Sequence, residues 1–464
     1  MIIKESNQKF YEMSKKRWTV RYIILITISS VLLAKIYFMI FVVDFVVGLY
    51  SFLTTLILFN MFFFAFLKYK DPYKEIKNEN VIIDYKNNLV SIIIPVKNEK
   101  ENIENCVMSC INSIYPNKEI IVVNDASTDD TPQKLDKIQS NYPSLKIIHL
   151  KENVGKKKAI EVATKIAQGK FYVFMDSDCN MAEDAIDNAV KIFFSDKEIG
   201  AVTAHGKVRD AENGNILEKI QDVWFDGQFR ILKGMESSFS SLTCCSGALS
   251  IFRREAIQHH MYDWAHDKFL GTEFKFATDR RLTAFILGES NRNKRNNKDN
   301  NAKKYENDKE IKEIYSKKYT WKIKYSPSIK VEIGVPRTML SLIKQQIRWR
   351  KSFIRSIFAT GSIYWKRPLP AAILYYLTIG IRIFRPYIVI KSLILLPTIG
   401  DFYTGILYVS GAIFTGMMYG IDVKLRNPGY TRWKYRPLMT MISTFILSWL
   451  IIYAAITIKN KTWR

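Results

Sequence analysis

Cysteine is scarce in this chain, with 5 in 464 residues, and Cys106, Cys110, Cys179, Cys244 and Cys245 form no CxxC pair with partner histidines. That scarcity excludes a zinc framework and a disulfide scaffold, and fits reduced thiols in a cytosolic domain. The start lacks the short apolar core and small-residue cleavage site of a signal peptide, so no cleaved leader is expected. Acids are also short: 44 Asp and Glu against 69 Lys and Arg leave a formal charge of +25. This excess does not indicate a nucleic-acid partner. Much of it flanks apolar segments or falls in NRNKRNNKDNNAKK, and juxtamembrane basic residues follow from anionic lipids and topology. Apolar residues nearly vanish from Glu289 to Asp308, and 289–318 is expected as an exposed, disordered insertion.

Elsewhere apolar sequence dominates, at 48% of residues. From Tyr22 to Leu67 it is almost unbroken, enough for two membrane helices of roughly 20 residues, with Asp44 and Gly48 near the turn. Lys15, Lys16, Arg17 and Arg21 precede this hairpin and Lys68, Lys70 and Lys74 follow it, which places both flanks in the cytoplasm. Lys35 inside the first span either lines a polar path or snorkels to the interface. The expected organisation is an amino-terminal hairpin over 1–70 and a cytosolic domain over 71–335. An amphipathic interfacial helix over 336–366 and carboxyl-terminal membrane helices over 367–464 complete a multi-pass protein of the cell membrane. Ala371 to Leu396, interrupted by Arg382, Arg385 and Pro386, does not read as one simple span, and the carboxyl-terminal topology stays open.

Between the membrane segments, LVSIIIPV, KEIIVVND, LKIIHL and GKFYVFMDSD read as buried strands, separated by helices opening near Glu99, Asp130, Gly155 and Glu183. The alternation predicts a parallel sheet with helices on both faces, and ligands in such folds bind beyond the carboxyl ends of the strands. Those ends carry acids: Asp125 closes one strand, and Asp176 and Asp178 close another. Two carboxylates flanking one residue present oxygens to a hard cation that also holds a diphosphate. Asp125 either meets a nucleobase or caps the next helix. Lys156, Lys157 and Lys158 either meet phosphates or form a basic helix face. Asp279 stands before Arg280 and Arg281, as a surface ion pair or as a base.

PVKNE, VVNDASTDDT, NVGKKKAI, DSD, FATDRRLT and QQIRW, in that order, resemble the motifs of processive glycosyltransferase family 2 enzymes. SLTCCSGALSIFRREAI, FLGTEFKFATDRRLT and QQIRWRKSFIRS are similar to segments of hyaluronan synthases and chitin-oligosaccharide synthases. The resemblance implies an α/β cytosolic domain of the GT-A type, a Rossmann-like mixed sheet, embedded in membrane helices. It implies a UDP-sugar donor, UDP-N-acetylglucosamine alone or alternating with UDP-glucuronate, a growing glycan acceptor and contact with membrane lipids. Oligomeric state is not indicated.

By the same resemblance Asp125 contacts the uridine, Lys157 the nucleotide or its phosphates, and Asp176 the diphosphate. Asp178 binds Mn2+ or Mg2+, and Asp279 is the general base. Gln345, Arg348 and Trp349 close over the diphosphate and acceptor sugar. Arg280 and Arg281 are expected to keep Asp279 ionised. Trp349 offers a flat face to a pyranose or anchors the helix at the interface. Three departures stand out: Thr278 replaces the first of the family's paired acids, Ala248 replaces the proline of SGP, and the terminal WGTR is reduced to Trp463 and Arg464. Rival readings are a transferase adding one sugar to a lipid carrier, which usually lacks QxxRW, and a non-catalytic membrane scaffold.

Overall fold

The structure, a computed structural model, describes residues 2–76, 83–288 and 321–460. The expected insertion 289–318 and the terminal Trp463 and Arg464 lie outside the described residues. The four apolar runs form β1 (Val90–Val96), β2 (Lys118–Asn124), β3 (Lys146–His149) and β4 (Phe171–Met175), parallel in the order β3-β2-β1-β4. The side chains of β1, β4 and most of β2 are buried on both faces. Ile92, Ile94 and Val173 enter one apolar cluster, while Ile93, Tyr172 and Phe174 enter another on the opposite side. Ile103–Ile111 and Ala185–Ser195 cover the first face, and Lys156–Ile166 and Thr278–Gly288 cover the second. Each aliphatic side chain so buried stabilises the fold by roughly 1.5–3 kcal/mol.

Beyond β4 the sheet is mixed, as the resemblance implied, whereas the strand–helix alternation by itself indicated only the parallel part. β5 (Asn180–Met181) pairs antiparallel with β10 (Lys322–Ile333), and β10 lies parallel to β6 (Ile199–Val208). β7 (Leu249–Arg253) runs antiparallel to both β4 and β6. A small hairpin, β8 (Lys268–Phe269) and β9 (Thr272–Glu273), stands outside the main sheet. The reversal has a consequence for chemistry. Because β7 is antiparallel, it starts where β4 ends, with Met175 opposite Leu249 and the Asp176 amide donating to Gly247 O at 3.1 Å. A parallel strand would have put residues 246–248 at the far edge of the sheet.

Among the described residues, four helices are long and apolar enough to cross a membrane: Trp18–Phe41, Phe45–Ile76, Phe402–Arg426 and Arg432–Ile456. Helix Leu369–Ile390, with Arg382, Arg385 and Pro386, is not among them. Lys35 turns inward and donates to Ser51 Oγ at 2.8 Å and Thr55 Oγ1 at 2.6 Å on the second helix. Behind the hairpin, Asp71 accepts from Ser326 Oγ and Ser328 Oγ, each at 2.6 Å, and so ties the linker to β10.

Candidate active site

The first cluster forms where β2 ends. Asp125 is buried, and its carboxylate accepts from Val154 N at 2.7 Å and Gly155 N at 2.9 Å. It therefore holds the loop that opens helix Lys156–Ile166 rather than capping the helix that follows it. Gly155 has φ +90, which an L side chain adopts only under strain, and this turn aims the first helical residue back at the strand ends. That residue is Lys156, whose Nζ bonds Asp176 Oδ1. Burial opposes its charge, but Asp176, Asp279 and Asp178 outweigh that cost and raise its pKa.

Lys157 points the other way. Its ammonium is buried, donates to Phe274 O at 2.9 Å and lies 3.8 Å from Asp267. One helical step rotates a side chain by about 100°, so adjacent lysines cannot share a target. Asp267 is a buried hub that also receives Arg355 at 2.7 Å and Arg281 at 3.0 Å. Arg281 donates to Asp267, and the leading cations acting on Asp279 are Lys156 and then Lys233.

The second cluster gathers the acids. Asp279 sits in the first turn of helix Thr278–Gly288, and its Oδ2 accepts from Gly247 N at 3.0 Å. A Cβ added at Gly247 would lie 2.9 Å from Asp279 Oδ1 and 3.1 Å from Asp176 Oδ2, so only glycine lets both carboxylates approach this backbone. Burial raises the Asp279 pKa, Lys156 works against the rise, and Asp176 adds to it. Asp178 Oδ1 accepts from Cys179 Sγ at 3.3 Å, and Arg209 Nη2 holds its carbonyl at 2.5 Å. Burial and then Asp176 raise Asp178 to about 6. Lys156, Asp176, Ser246, Gly247, Thr278 and Asp279 line a small cavity. Among the described residues no three acid, histidine or cysteine side chains converge on one point. Asp176, which also pairs with Lys156, and Asp178 together fit a cation that takes its other ligands from a diphosphate.

Helix Met339–Ala359 packs against helix Thr278–Gly288 and carries QQIRW. Gln345 Oε1 is buried without a hydrogen-bond partner, and Arg348 is half-buried on the same helix. Trp349 stacks on Trp224 with ring centroids 6.0 Å apart and meets Phe225 edge-on at 6.1 Å.

Residues 91–261 match the model of glycosyl transferase family 2. The chain carries a glycosyltransferase family 2 domain. It is 24% identical over 387 residues to a hyaluronan synthase of Streptococcus pyogenes, covering 82% of this chain and 83% of that protein. It is 25% identical over 260 residues to a poly-beta-1,6-N-acetyl-D-glucosamine synthase of Staphylococcus epidermidis, covering 56% and 53%. Among solved structures, the mannosyltransferase PcManGT of Pyrobaculum calidifontis, in complex with GDP-Man and Mn2+, superposes with a TM-score of 0.52 at 19% identity. The superposition covers 88% of this chain and 97% of that one. The fold is GT-A-like, with apolar helices at both ends.

Sequence reasoning missed several residues of the glycosyltransferase domain. Gly247 was visible only as part of SGA, and its function depends on the antiparallel β7. Lys156 carried a signal: the helix opens at Gly155, and its first residue faces the strand ends. Trp224 carried none, because its partner Trp349 lies 125 positions further along the chain.

Proposed function

We propose that this glycosyltransferase is a membrane-embedded, inverting, processive polysaccharide synthase. Its donor is UDP-N-acetylglucosamine, alone or alternating with UDP-glucuronate, and the glycan leaves through the protein's own helices. The observation that carries this reading is the meeting of Asp176 and Asp279 at Gly247 with Lys156 between them. The Streptococcus and Staphylococcus relatives, both polymer synthases by name, support it. The basic residues Lys68, Lys70 and Lys74 after the amino-terminal pair of helices put the catalytic domain in the cytoplasm.

In this mechanism Asp125 receives the uridine once it exchanges its two backbone donors, and Lys156, in place of Lys157, meets the diphosphate. Asp176 and Asp178 would hold Mn2+ or Mg2+, which would supply positive charge to offset that on the departing diphosphate. Asp279 takes the proton of the acceptor hydroxyl as that oxygen bonds to the anomeric carbon and the bond from that carbon to the diphosphate breaks. UDP departs and the configuration inverts. A raised pKa brings Asp279 nearer the working pH of a base. Arg348 and the unpartnered Gln345 close over the diphosphate, and Trp349 with Trp224 forms the floor for the acceptor pyranose.

The test is UDP release by the purified full chain with Mn2+, supplying the two donors separately and together, and sizing the product. Release with long product and its loss in Asp279→Asn support the proposal. Single-sugar products point to a non-processive transferase, and full activity of Asp279→Asn removes Asp279 as the base.

A further inference from the structure

From Ile333 to Gly400 the chain holds no Asp or Glu, yet Arg350, Arg382 and Arg385 fall within it. Helix Leu369–Ile390 carries the last two. Arg367, just before this helix, donates at 3.1 Å to Leu287 O on the helix that carries Asp279. Lys391, just after it, pairs at 3.0 Å with Asp44, in the turn between the first two apolar helices. The helix therefore runs from the catalytic side to that turn, which the membrane reading proposed above places on the outer face. Its exposed residues Ile383, Phe384 and Tyr387 mark one side. At about 100° per residue, half-buried Arg382 and Arg385 fall on the opposite side, toward the other helices.

There they join a group. Arg382 lies over Phe353, 5.1 Å from the ring centroid, and Phe353 shares its helix face with Arg350, three residues earlier. Arg385 Nε donates to Tyr50 OH at 3.2 Å, and Arg350 Nε is buried without a hydrogen-bond partner. Burial, then Arg385 and Arg280, lower the Arg350 pKa to about 10, so Arg280, beside Asp279, belongs to the same group. None of the four forms an ion pair among the described residues. The acids around them are matched elsewhere. Asp279 faces Lys156 and Lys233, Asp44 takes Lys391, and Asp422 accepts from Arg426 at 2.9 Å. Asp401 accepts from Thr404 Oγ1 at 2.6 Å at a helix start. Buried Glu236, on which Arg280 acts, accepts from Thr243 Oγ1 at 2.7 Å and is one carboxylate against four arginines.

We propose that Arg280, Arg350, Arg382 and Arg385 line the route by which the glycan leaves the active site, and that this glycan is anionic, with a carboxylate recurring along it. The proposal rests on the synthase reading and deepens it: the product alternates a uronic acid with the N-acetyl sugar, so UDP-N-acetylglucosamine and UDP-glucuronate are both donors. Unpaired arginines at membrane depth are costly and mark the route of an anion. A guanidinium fork matches a carboxylate, and several equivalent sites in a row let a charged chain bind without being trapped. The departing diphosphate does not answer the whole row. It is released at Asp176 and Asp178, whereas Arg385 stands within two turns of Lys391 at the far end of its helix. A neutral amino-sugar polymer would leave these charges unanswered.

The test uses the full chain in lipid nanodiscs and two probes of equal length, an oligosaccharide alternating N-acetylglucosamine with glucuronate and its carboxyl methyl ester. Wild type is expected to bind the free acid about 10²-fold more tightly than the ester, about tenfold of which is lost with each arginine in Arg382→Gln/Arg385→Gln. Arg382→Lys/Arg385→Lys keeps the charge and is expected to restore most of the preference, which separates lost charge from lost fold. Lys137→Gln/Lys170→Gln, on exposed residues outside the group, is expected to leave it unchanged. Equal binding of acid and ester, or a preference that survives in Arg382→Gln/Arg385→Gln, overturns the proposal. Synthesis is scored in parallel with the donors supplied separately and together. Long product that contains uronic acid and needs both donors supports the proposal. Full-length polymer from UDP-N-acetylglucosamine alone overturns it and leaves the synthase reading standing, whereas absence of polymer with every donor combination removes the synthase reading itself.

Discussion

Asp176 and Asp279 face each other across the α-carbon of Gly247, close enough that a methyl group there would contact both carboxylates within 3.1 Å. Neither acid can keep its place if that carbon gains a side chain. Gly247→Ala is therefore expected to lower UDP release by about 10²-fold through misplacement of the reacting groups, with the protein still folded. Thermal unfolding measured alongside turnover separates the two effects, and unchanged turnover rejects the arrangement.

The two adjacent lysines are expected to behave differently. Lys156→Gln removes the cation between the acids, and a loss of about 10²-fold in turnover is expected. Lys157→Met touches none of these groups and should reduce UDP release far less. Burial lowers the Lys157 pKa from 10.5 to about 8, so the unfolded chain holds this proton more tightly. Stability contributed here rises as pH is raised from about 8 to 10.5, and Lys157→Met flattens that rise in a pH series of unfolding midpoints.

Asp178, raised to about 6, must lose its proton to hold a divalent cation. Activity is expected to fall as pH drops through about 6, and excess Mn2+ should move the midpoint downward. Removal of metal with a chelator should abolish UDP release, and full activity in the chelator excludes a metal role.

Trp224 and Trp349 lie on different helices, and their stacking aligns one flat surface. Trp224→Ala removes an aromatic pair worth about 0.5–1.5 kcal/mol and the support for Trp349. Product length measured by gel filtration is expected to shorten more than the initial rate of UDP release declines. Equal effects on both would remove Trp224 from the acceptor floor.

His205 is buried against Tyr325, with Nδ1 at 2.8 Å from its hydroxyl, and burial lowers its pKa from 6.5 to about 3. The neutral ring is the folded form, so its contribution is complete above pH 6.5 and is lost as pH falls toward 3. Below 6.5 the stability should decline by up to ~1.4 kcal/mol per pH unit from this group. His205→Gln should reduce the slope of unfolding midpoint against pH, and an unaltered slope places the acid lability elsewhere.

Local pattern by itself determined the two amino-terminal apolar helices and the strands β1 to β4, because each depends on an apolar run and its length. It also determined which strand ends carry acids, since Asp125, Asp176 and Asp178 follow their strands directly. The direction of β7 was not legible, because strand polarity depends on how the intervening helices fold back. That direction alone decided that Gly247 lies beside Asp176. The residues alone left Lys156, Lys157 and Lys158 equivalent and the resemblance pointed to Lys157, whereas a rotation of one residue about the helix axis sends Lys156 to Asp176 and Lys157 to Asp267. The partners of Asp279 and Trp349 are residues remote in the chain. Only tertiary packing brings such residues within hydrogen-bond or stacking distance.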